Sequence, residues 1–254
     1  MTDKPPHVGL FVTCLVDAFR PGVGWATVKL LQDAGCTIDV PRAQTCCGQP
    51  AYNSGDRKDT RDIALSVIEA FEAFDYVVVP SGSCTGMITK HYPALFDAGS
   101  AERERAEALA AKTHELVSFL VDVLGVEEVA ARFDGSVTYH DSCSGLRELG
   151  IREQPRKLLQ TVSGLELKEM DDTDACCGFG GTFCVKYPNI SNKMVTSKIE
   201  SAEAAGTDML LAGDLGCLMN MAGKLKRRGS QMQVRHVAEI LAGRTDDPAI
   251  GENG

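Results

Sequence analysis

The feature that most constrains the fold is a set of four cysteines that occurs twice in the 254-residue chain. The corresponding positions are Cys14 and Cys143, Cys46 and Cys176, Cys47 and Cys177, and Cys84 and Cys217. The order and approximate spacing agree in both halves, and glycine follows the adjacent pair each time. Such a repeat indicates two structural units of the same kind. We place the repeats at 1–134 and 135–243, followed by a flexible tail over 244–254.

Apolar runs that favour strands alternate with segments of helical periodicity in both halves. Strands are predicted at 8–13, 37–40, 76–79, 136–139, 165–170, 208–212 and 233–236. Helices are predicted at 24–34, 57–74, 101–111, 115–124, 155–162, 190–205, after Cys217 to about 228, and 237–242. The alternation predicts an α/β fold of two repeated βαβ (Rossmann-like) halves, each with a parallel sheet and right-handed crossovers.

Each cysteine-bearing segment of the repeat follows a predicted strand. In an open parallel sheet, the loops after the carboxyl ends of the strands form the ligand crevice, so the four cysteines of each half should converge there. Adjacent residues in extended backbone point to opposite faces, and Cys46 and Cys47 therefore need a turn to face one centre. Gly48 permits that turn, and Gly178 allows close backbone approach to a bound group.

The repeated cysteines indicate a thiolate metal site. In a reducing compartment, ten cysteines favour metal binding or catalysis over a disulfide framework. Four thiolates suit zinc or an iron–sulfur cluster. The sequence has no C-x-x-C knuckle, and different irons of a cluster accommodate an adjacent pair, so iron–sulfur is favoured and zinc is the alternative. Buried packing and a metal-free thiol redox sensor are the remaining interpretations.

Three residues outside the repeat also enter the prediction. His140 closely precedes Cys143 and is a candidate to tune the second site by hydrogen bonding, with a structural role as the alternative. Cys36 and Cys184 have no counterpart in the other half. We expect Cys36 to fill the core, and we favour a structural role over a spare ligand for Cys184.

Charge and hydropathy exclude several kinds of partner. The net charge of −9 argues against nucleic acid and anionic membrane surfaces, because both require a basic footprint. The sequence contains no run of about eighteen apolar residues, so no transmembrane helix is predicted. The amino-terminal residues lack the layout of a signal peptide. We therefore expect a cytoplasmic protein.

Several segments carry a family resemblance: Thr-Cys-Cys-Gly-Gln-Pro at 45–50, Ser-Gly-Ser-Cys at 81–84, Tyr-His-Asp-Ser-Cys at 139–143 and Cys-Cys-Gly-Phe-Gly-Gly-Thr-Phe-Cys-Val-Lys at 176–186. With their spacing they resemble the cysteine-rich CCG domain family, which includes the cysteine-rich subunit of heterodisulfide reductase, the glycolate oxidase iron–sulfur subunit and proteins of lactate utilisation. The resemblance covers nearly the whole chain and is strongest to the lactate-utilisation members.

The resemblance implies an iron–sulfur electron-transfer subunit of a multi-subunit oxidoreductase that oxidises L-lactate to pyruvate with a ferredoxin-type iron–sulfur partner. A heterodisulfide-reductase-like or glycolate oxidase subunit is an alternative, and a zinc-stabilised scaffold is an alternative of another class. The chain shows no flavin or nicotinamide fingerprint, so no hydride acceptor of its own is expected.

The sequence departs from the family pattern at one position in each half. The family motif ends each half in C-x-x-C, whereas Met87 and Asn220 occupy the final positions here. The full set of five cysteines holds a non-cubane cluster in heterodisulfide reductase. With four thiolates in each half, the expectation is instead one or two [4Fe–4S] clusters per chain.

Overall fold

The computed structural model describes residues 4–252. The chain divides into two compact units, Met1–Gly125 and Val126–Gly254. Each unit contains a four-stranded sheet in which all pairs of neighbouring strands are parallel. The predicted α/β fold of two repeated halves is therefore confirmed.

The first unit has its strands in the order β2-β1-β3-β4. These strands are β1 (His7–Leu10), β2 (Thr37–Asp39), β3 (Tyr76–Val79) and β4 (Thr113–Glu115). Its helices are α1 (Cys14–Phe19), α2 (Pro21–Asp33), α3 (Gln49–Asn53), α4 (Arg57–Phe71), α5 (Gly82–Gly86), α6 (Ala101–Ala111) and α7 (Leu116–Ser118). π-Helical turns at Met87–His91 and Phe119–Val123 continue α5 and α7, and a 3-10 turn spans Pro93–Leu95.

The second unit has the order β6-β5-β7-β8, which is the same topology. Its strands are β5 (Arg132–His140), β6 (Ser163–Leu167), β7 (Met209–Ala212) and β8 (Gln233–His236). Its helices are α8 (Cys143–Leu149), α9 (Glu153–Leu159), α10 (Phe183–Lys186), α11 (Pro188–Ala204), α12 (Leu215–Arg228) and α13 (Val237–Leu241). The repeat in the sequence thus corresponds to a repeat in strand order.

One inner strand of each sheet is almost continuously apolar. Strand β3 has the sequence YVVV and β7 has MLLA, with all four residues of β7 buried. Continuous apolar runs of this kind form parallel strands that are covered on both faces. The two hydrophobic cores therefore hold the carboxyl ends of the strands, and the loops that follow them, in fixed positions.

The prediction of a helix over 115–124 is wrong at its start. Thr113 and Glu115 belong to β4 and pair with Val77 and Val79 of β3. The Glu115 carboxylate then accepts hydrogen bonds from the backbone N–H of Val117, at 2.8 Å, and of the following residue. The last residue of this three-residue strand is also the N-cap of the next helix, so the sequence around Glu115 has the pattern of a helix start.

Residues 244–252, which composition predicts to be a flexible tail, contact β8. The Arg235 guanidinium donates to the carbonyl oxygens of Thr245, at 3.0 Å, and Asp247, at 2.6 Å. The backbone N–H of Ile250 donates to the Val234 carbonyl oxygen at 2.9 Å, and Ala249 is buried. The segment therefore lies along the outer strand of the second sheet.

Candidate metal centre

Both cysteine sets lie in the loops and helix starts that follow the carboxyl ends of the strands. Cys14 and Cys143 are the first residues of α1 and α8. The adjacent pairs lie in the loops after β2 and β6, and Cys84 and Cys217 are the third residues of α5 and α12. The three segments of each set come together as the strand pattern predicts.

The four thiols of the first unit form a continuous chain of contacts. The Sγ atoms of Cys14 and Cys46 are 3.8 Å apart, and those of Cys47 and Cys84 are 3.4 Å apart. Cys46 and Cys47 are adjacent in the chain and shift each other's pKa, which joins the two pairs. Cys47 and Cys84 are buried, whereas Cys14 is exposed. The set therefore reaches from the core of the unit to its surface.

The second unit repeats this arrangement. Neighbouring thiols act on one another in the same sequence: Cys143 lowers the pKa of Cys176, Cys176 raises that of Cys177, and Cys177 acts to lower that of Cys217. Cys177 and Cys217 are buried, while Cys143 and Cys176 are partly exposed. The cysteines of the two sets therefore follow one another in the same order and lie at equivalent places beside the two sheets.

Gly48 and Gly178 make the turns that bring each adjacent pair to one centre. Their φ angles are +81° and +80°, in the left-handed region that favours glycine. The backbone N–H of Gly178 donates to Cys176 Sγ at 3.4 Å, and Gly48 makes the equivalent bond to Cys46. Each glycine thus shapes the loop and also stabilises a thiolate.

The helices that carry the outer cysteines have side-chain caps. Thr13 Oγ1 accepts from the backbone N–H of Val16, and Ser142 Oγ accepts from that of Gly145, both at 3.3 Å. Ser81 and Asp214 cap α5 and α12 in the same way. Capping fixes the first turn of each helix, so the cysteine side chains are held at defined positions.

The thiols of each set differ in acidity. Hydrogen bonds from Cys14 and Cys47 hold the pKa of Cys46 well below its ordinary value, and Cys176 is affected in the same way by Cys143 and Cys177. The hydrogen bond to Cys46, followed by burial, raises the pKa of Cys14. In each set, the first cysteine of the adjacent pair is therefore more acidic than the two thiols that flank it, and a bound cation would displace the protons of the set. This donor set fits a thiophilic metal.

The surroundings of the second set include His140, which is completely buried at the end of β5. One of its ring nitrogens and the Sγ atoms of Cys177 and Cys217 all lie within 4.8 Å of one another. Neither ring nitrogen makes a hydrogen bond of good geometry. The Thr173 backbone is nevertheless near enough to act on the ring, and it acts to raise the pKa of His140. Burial, followed by the charge of Lys198, lowers the pKa of His140 to about 3, so the ring is neutral.

Lys198 of α11 is a buried cation that sequence reasoning missed. Its Nζ donates to the carbonyl oxygens of Thr173, at 3.0 Å, and of Asp172. Burial lowers the pKa of the ammonium group, and the positive charge of this group acts on the thiol of Cys217. Its spacing from Val195 and Ala202, which lie on the buried face of the helix, is the sequence signal that could have indicated its burial.

The positions that depart from the family motif have separate local roles. Asn220 Nδ2 donates to the carbonyl oxygen of Cys177 at 2.9 Å. In the first unit, Met87 is buried in the core. The carbonyl oxygen of Cys47 accepts a 2.8 Å hydrogen bond from the Tyr92 hydroxyl. Tyr92 closes the π-helical turn that follows α5, and no sequence signal indicated this contact.

The two unmatched cysteines lie outside the chains of thiol contacts described above. Cys36 is buried, as expected for a core residue, and burial raises its pKa. Cys184, in α10, is partly exposed, and its thiol donates to the carbonyl oxygen of Gly181 at 3.6 Å.

A buried ion pair supports the loop that leads into Cys143. Arg156 of α9 binds both carboxylate oxygens of Asp141 at 2.9 Å, and its Nε donates to Glu169 at 2.7 Å. The side chains of Arg156 and Asp141 are 11% and 1% exposed, so the pair is shielded from water. Asp141 directly follows His140, and the ion pair therefore fixes the end of β5.

Fold and site together define an α/β protein with two parallel sheets, each of which gathers four thiols at its carboxyl edge. The model of the CCG cysteine-rich domain matches residues 8–89 and 137–222, so each match spans one thiol set. The chain belongs to the CCG cysteine-rich domain family, which confirms the resemblance found in its motifs.

The curated relatives of the chain include two lactate utilization proteins of nearly equal length. "Lactate utilization protein A" from Geobacillus sp. (strain WCH70) is 52% identical over 237 residues, which cover 93% of this chain and 99% of the relative. The protein of that name from Bacillus subtilis (strain 168) is 49% identical, with the same coverage.

Among solved structures, a hypothetical protein from Helicobacter pylori has a similar fold. It aligns with a TM-score of 0.66 at 10% identity, covering 96% of this chain and 50% of its own. At this identity the similarity concerns the fold alone. Within residues 4–252, no helix is long and apolar enough to cross a membrane.

Proposed function

We propose that the chain holds iron–sulfur clusters at its two thiol sets and transfers electrons within a cytoplasmic complex that oxidises L-lactate to pyruvate. The observation that carries the proposal is the pair of equivalent four-thiol sets in a chain whose relatives are named for lactate utilisation. A ferredoxin-type iron–sulfur protein is the expected partner. The ligands would be Cys14, Cys46, Cys47 and Cys84 in one unit and Cys143, Cys176, Cys177 and Cys217 in the other.

The residues around each set suit electron transfer. A bound cluster would supply one-electron chemistry, while the protein positions it and sets its environment. The buried members, such as Cys47 and Cys177, anchor the centre in the core, and Cys14 lies at the surface. The backbone N–H groups of Gly48 and Gly178 would stabilise sulfur charge.

Zinc is the second candidate, and the sulfur separations favour it. Thiolates bound tetrahedrally to one ion at about 2.3 Å lie about 3.8 Å apart. The Cys14–Cys46 and Cys47–Cys84 separations are 3.8 and 3.4 Å, close to that value. A cluster distributes its thiolates over several irons and would require these sulfurs to move apart. A zinc-bound chain would act as a scaffold and would not transfer electrons.

The function can be tested on the native complex. The chain is purified anaerobically, with its partners, from cells that produce it, and L-lactate is added while cluster absorbance is recorded. We expect L-lactate to bleach the absorbance and D-lactate to leave it unchanged. A parallel purification of Cys177→Ser should yield a complex with weaker absorbance. A complex whose cluster absorbance does not respond to L-lactate would contradict the proposal.

A further inference from the structure

The second thiol set has a nitrogen donor that the first set lacks. His140 is completely buried, and its ring nitrogen lies within 4.8 Å of the sulfurs of both Cys177 and Cys217. Neither nitrogen of this ring meets hydrogen-bond geometry with a partner among the described residues. The Thr173 backbone is near the ring and can pair with one of its nitrogens at most. The other nitrogen is buried without a hydrogen-bond partner, which is costly and indicates a missing ligand.

The corresponding position of the first unit carries a residue that cannot bind metal. Phe11 lies three residues before Cys14, as His140 lies three residues before Cys143. Phe11 is also completely buried, and it packs in the core cluster that includes Cys47 and Cys84. The two units therefore place different side chains at the same point beside equivalent thiols.

We propose that His140 is a direct ligand of the centre in the second unit, which makes that site a mixed sulfur and nitrogen site. This inference rests on the proposal that the thiol sets bind metal. The fixed end of β5, held by the Asp141–Arg156 ion pair, presents the ring to the buried sulfurs. Imidazole suits both iron and zinc, so the ligand role holds for either metal.

The proposal predicts that the two sites differ in reduction potential. The reduction potential of an iron–sulfur centre depends on its ligands and on the charge around it, so a histidine ligand in one site only should separate the two potentials. The second site should therefore be reduced at a potential different from that of the first. His140→Phe should shift the potential of the second site toward that of the first, and leave the first unchanged.

The direct test detects nitrogen bound to the metal. Full-length protein is produced with natural and with ¹⁵N-labelled histidine, then loaded anaerobically with iron and sulfide or, separately, with Co²⁺ alone. Electron–nuclear double resonance should show a strong nitrogen coupling that changes with the label. His140→Phe should abolish this coupling, and the control His91→Phe should retain it. If His140→Phe does not fold, His140→Gln replaces it and should also lose the coupling.

The outcomes separate this inference from the proposed function. A cluster that forms without histidine nitrogen coupling would overturn the ligand role of His140 and leave the function intact. Coupling in the Co²⁺ form alone, with no cluster formed, would support the ligand role and contradict the function. The reciprocal variant Phe11→His supplies a gain-of-signal test, since it should add a second coupling from the first unit. A chain that binds neither metal form would overturn both proposals.

Discussion

The two units of this chain hold the same thiols in the same topology, yet their surroundings differ. The first set is bordered by Phe11 and Tyr92, and Val67 and Ile68 are buried in the same core cluster. The second set has His140, Lys198 and Asn220 at its border. The comparison teaches that the repeat preserves the residues that place the sulfurs, namely strand ends, caps and left-handed glycines. The charge around the sulfurs is free to differ.

The largest expected effect separates the two sites by metal content. Cys47→Ser should remove metal from the first unit and Cys177→Ser from the second, because each cysteine joins two parts of its thiol chain. Each variant should therefore retain about half of the wild-type metal per chain, measured by elemental analysis. The matched control Cys184→Ser should retain all of it. Loss of all metal from either single variant would show that the sites are not independent.

The next largest effect is a loss of stability when the buried ion pair of the second unit is broken. Among the contacts described above, the first unit has no buried ion pair of this kind. Arg156→Met leaves the Asp141 carboxylate, 1% exposed, without its bidentate partner. Removal of one partner from such a pair costs about 3–5 kcal/mol of the free energy of unfolding. Urea unfolding followed by circular dichroism measures this loss.

An exposed ion pair in the first unit gives the control for Arg156→Met. Arg105 and Glu72 are 2.8 Å apart, with side chains 43% and 50% exposed. Arg105→Met should cost no more than about 1 kcal/mol because solvent screens the pair. Equal losses in the two variants would contradict the distinction between the ion pairs.

Alanine at the two glycines should affect the units unequally. Left-handed backbone costs an alanine about 1–2 kcal/mol at either position. A Cβ on Gly178 would also meet the Ser191 carbonyl oxygen at 2.8 Å, whereas one on Gly48 would come no closer than 3.3 Å to its nearest neighbour, Ile63 Cγ2. Overpacking adds about 1–3 kcal/mol, so Gly178→Ala should be the more destabilised variant in thermal unfolding. The reverse order would contradict the close approach of α11 to this loop.

The smallest difference between the units is expected at the hydrogen bonds to the carbonyl oxygens of the adjacent pairs. Tyr92→Phe leaves the buried carbonyl of Cys47 without its donor and should cost about 1–3 kcal/mol. Asn220→Ala removes the equivalent donor to Cys177, but Asn220 is only half-buried. Water can replace it, and about 1 kcal/mol or less is expected. Unfolding of the metal-free variants measures both, and a larger loss for Asn220→Ala would reverse the comparison.

Sequence patterns predicted the parts of the site that depend on local rules. Strand β3 was placed correctly because a β-branched run bounded by turn residues is a strong signal. The predicted bounds of strand β8 also match the structure. The convergence of each cysteine set followed from its place after consecutive parallel strands. Strand β4 was missed because its three residues continue into a helix that Glu115 caps.

The surroundings of the sites depend on contacts between distant segments, and single positions do not reveal these. The contact of Tyr92 with the Cys47 carbonyl requires the π-helical turn after α5, which has no sequence marker. Lys198 has a place on the apolar face of α11, but only the packing of this helix against the site loop brings its ammonium group to the Thr173 carbonyl oxygen. The Asp141–Arg156 pair likewise joins β5 to α9 across the unit.

The central claim is that both thiol sets hold iron–sulfur centres, and metal analysis of the wild-type chain tests it most directly. Protein purified without exposure to oxygen is assayed for iron, acid-labile sulfide and zinc per chain, with electron paramagnetic resonance after reduction. We predict iron and sulfide in equal amounts, at a level sufficient for a centre in each unit, and a cluster signal on reduction. Stoichiometric zinc without sulfide, or fully folded protein free of metal, would contradict the account.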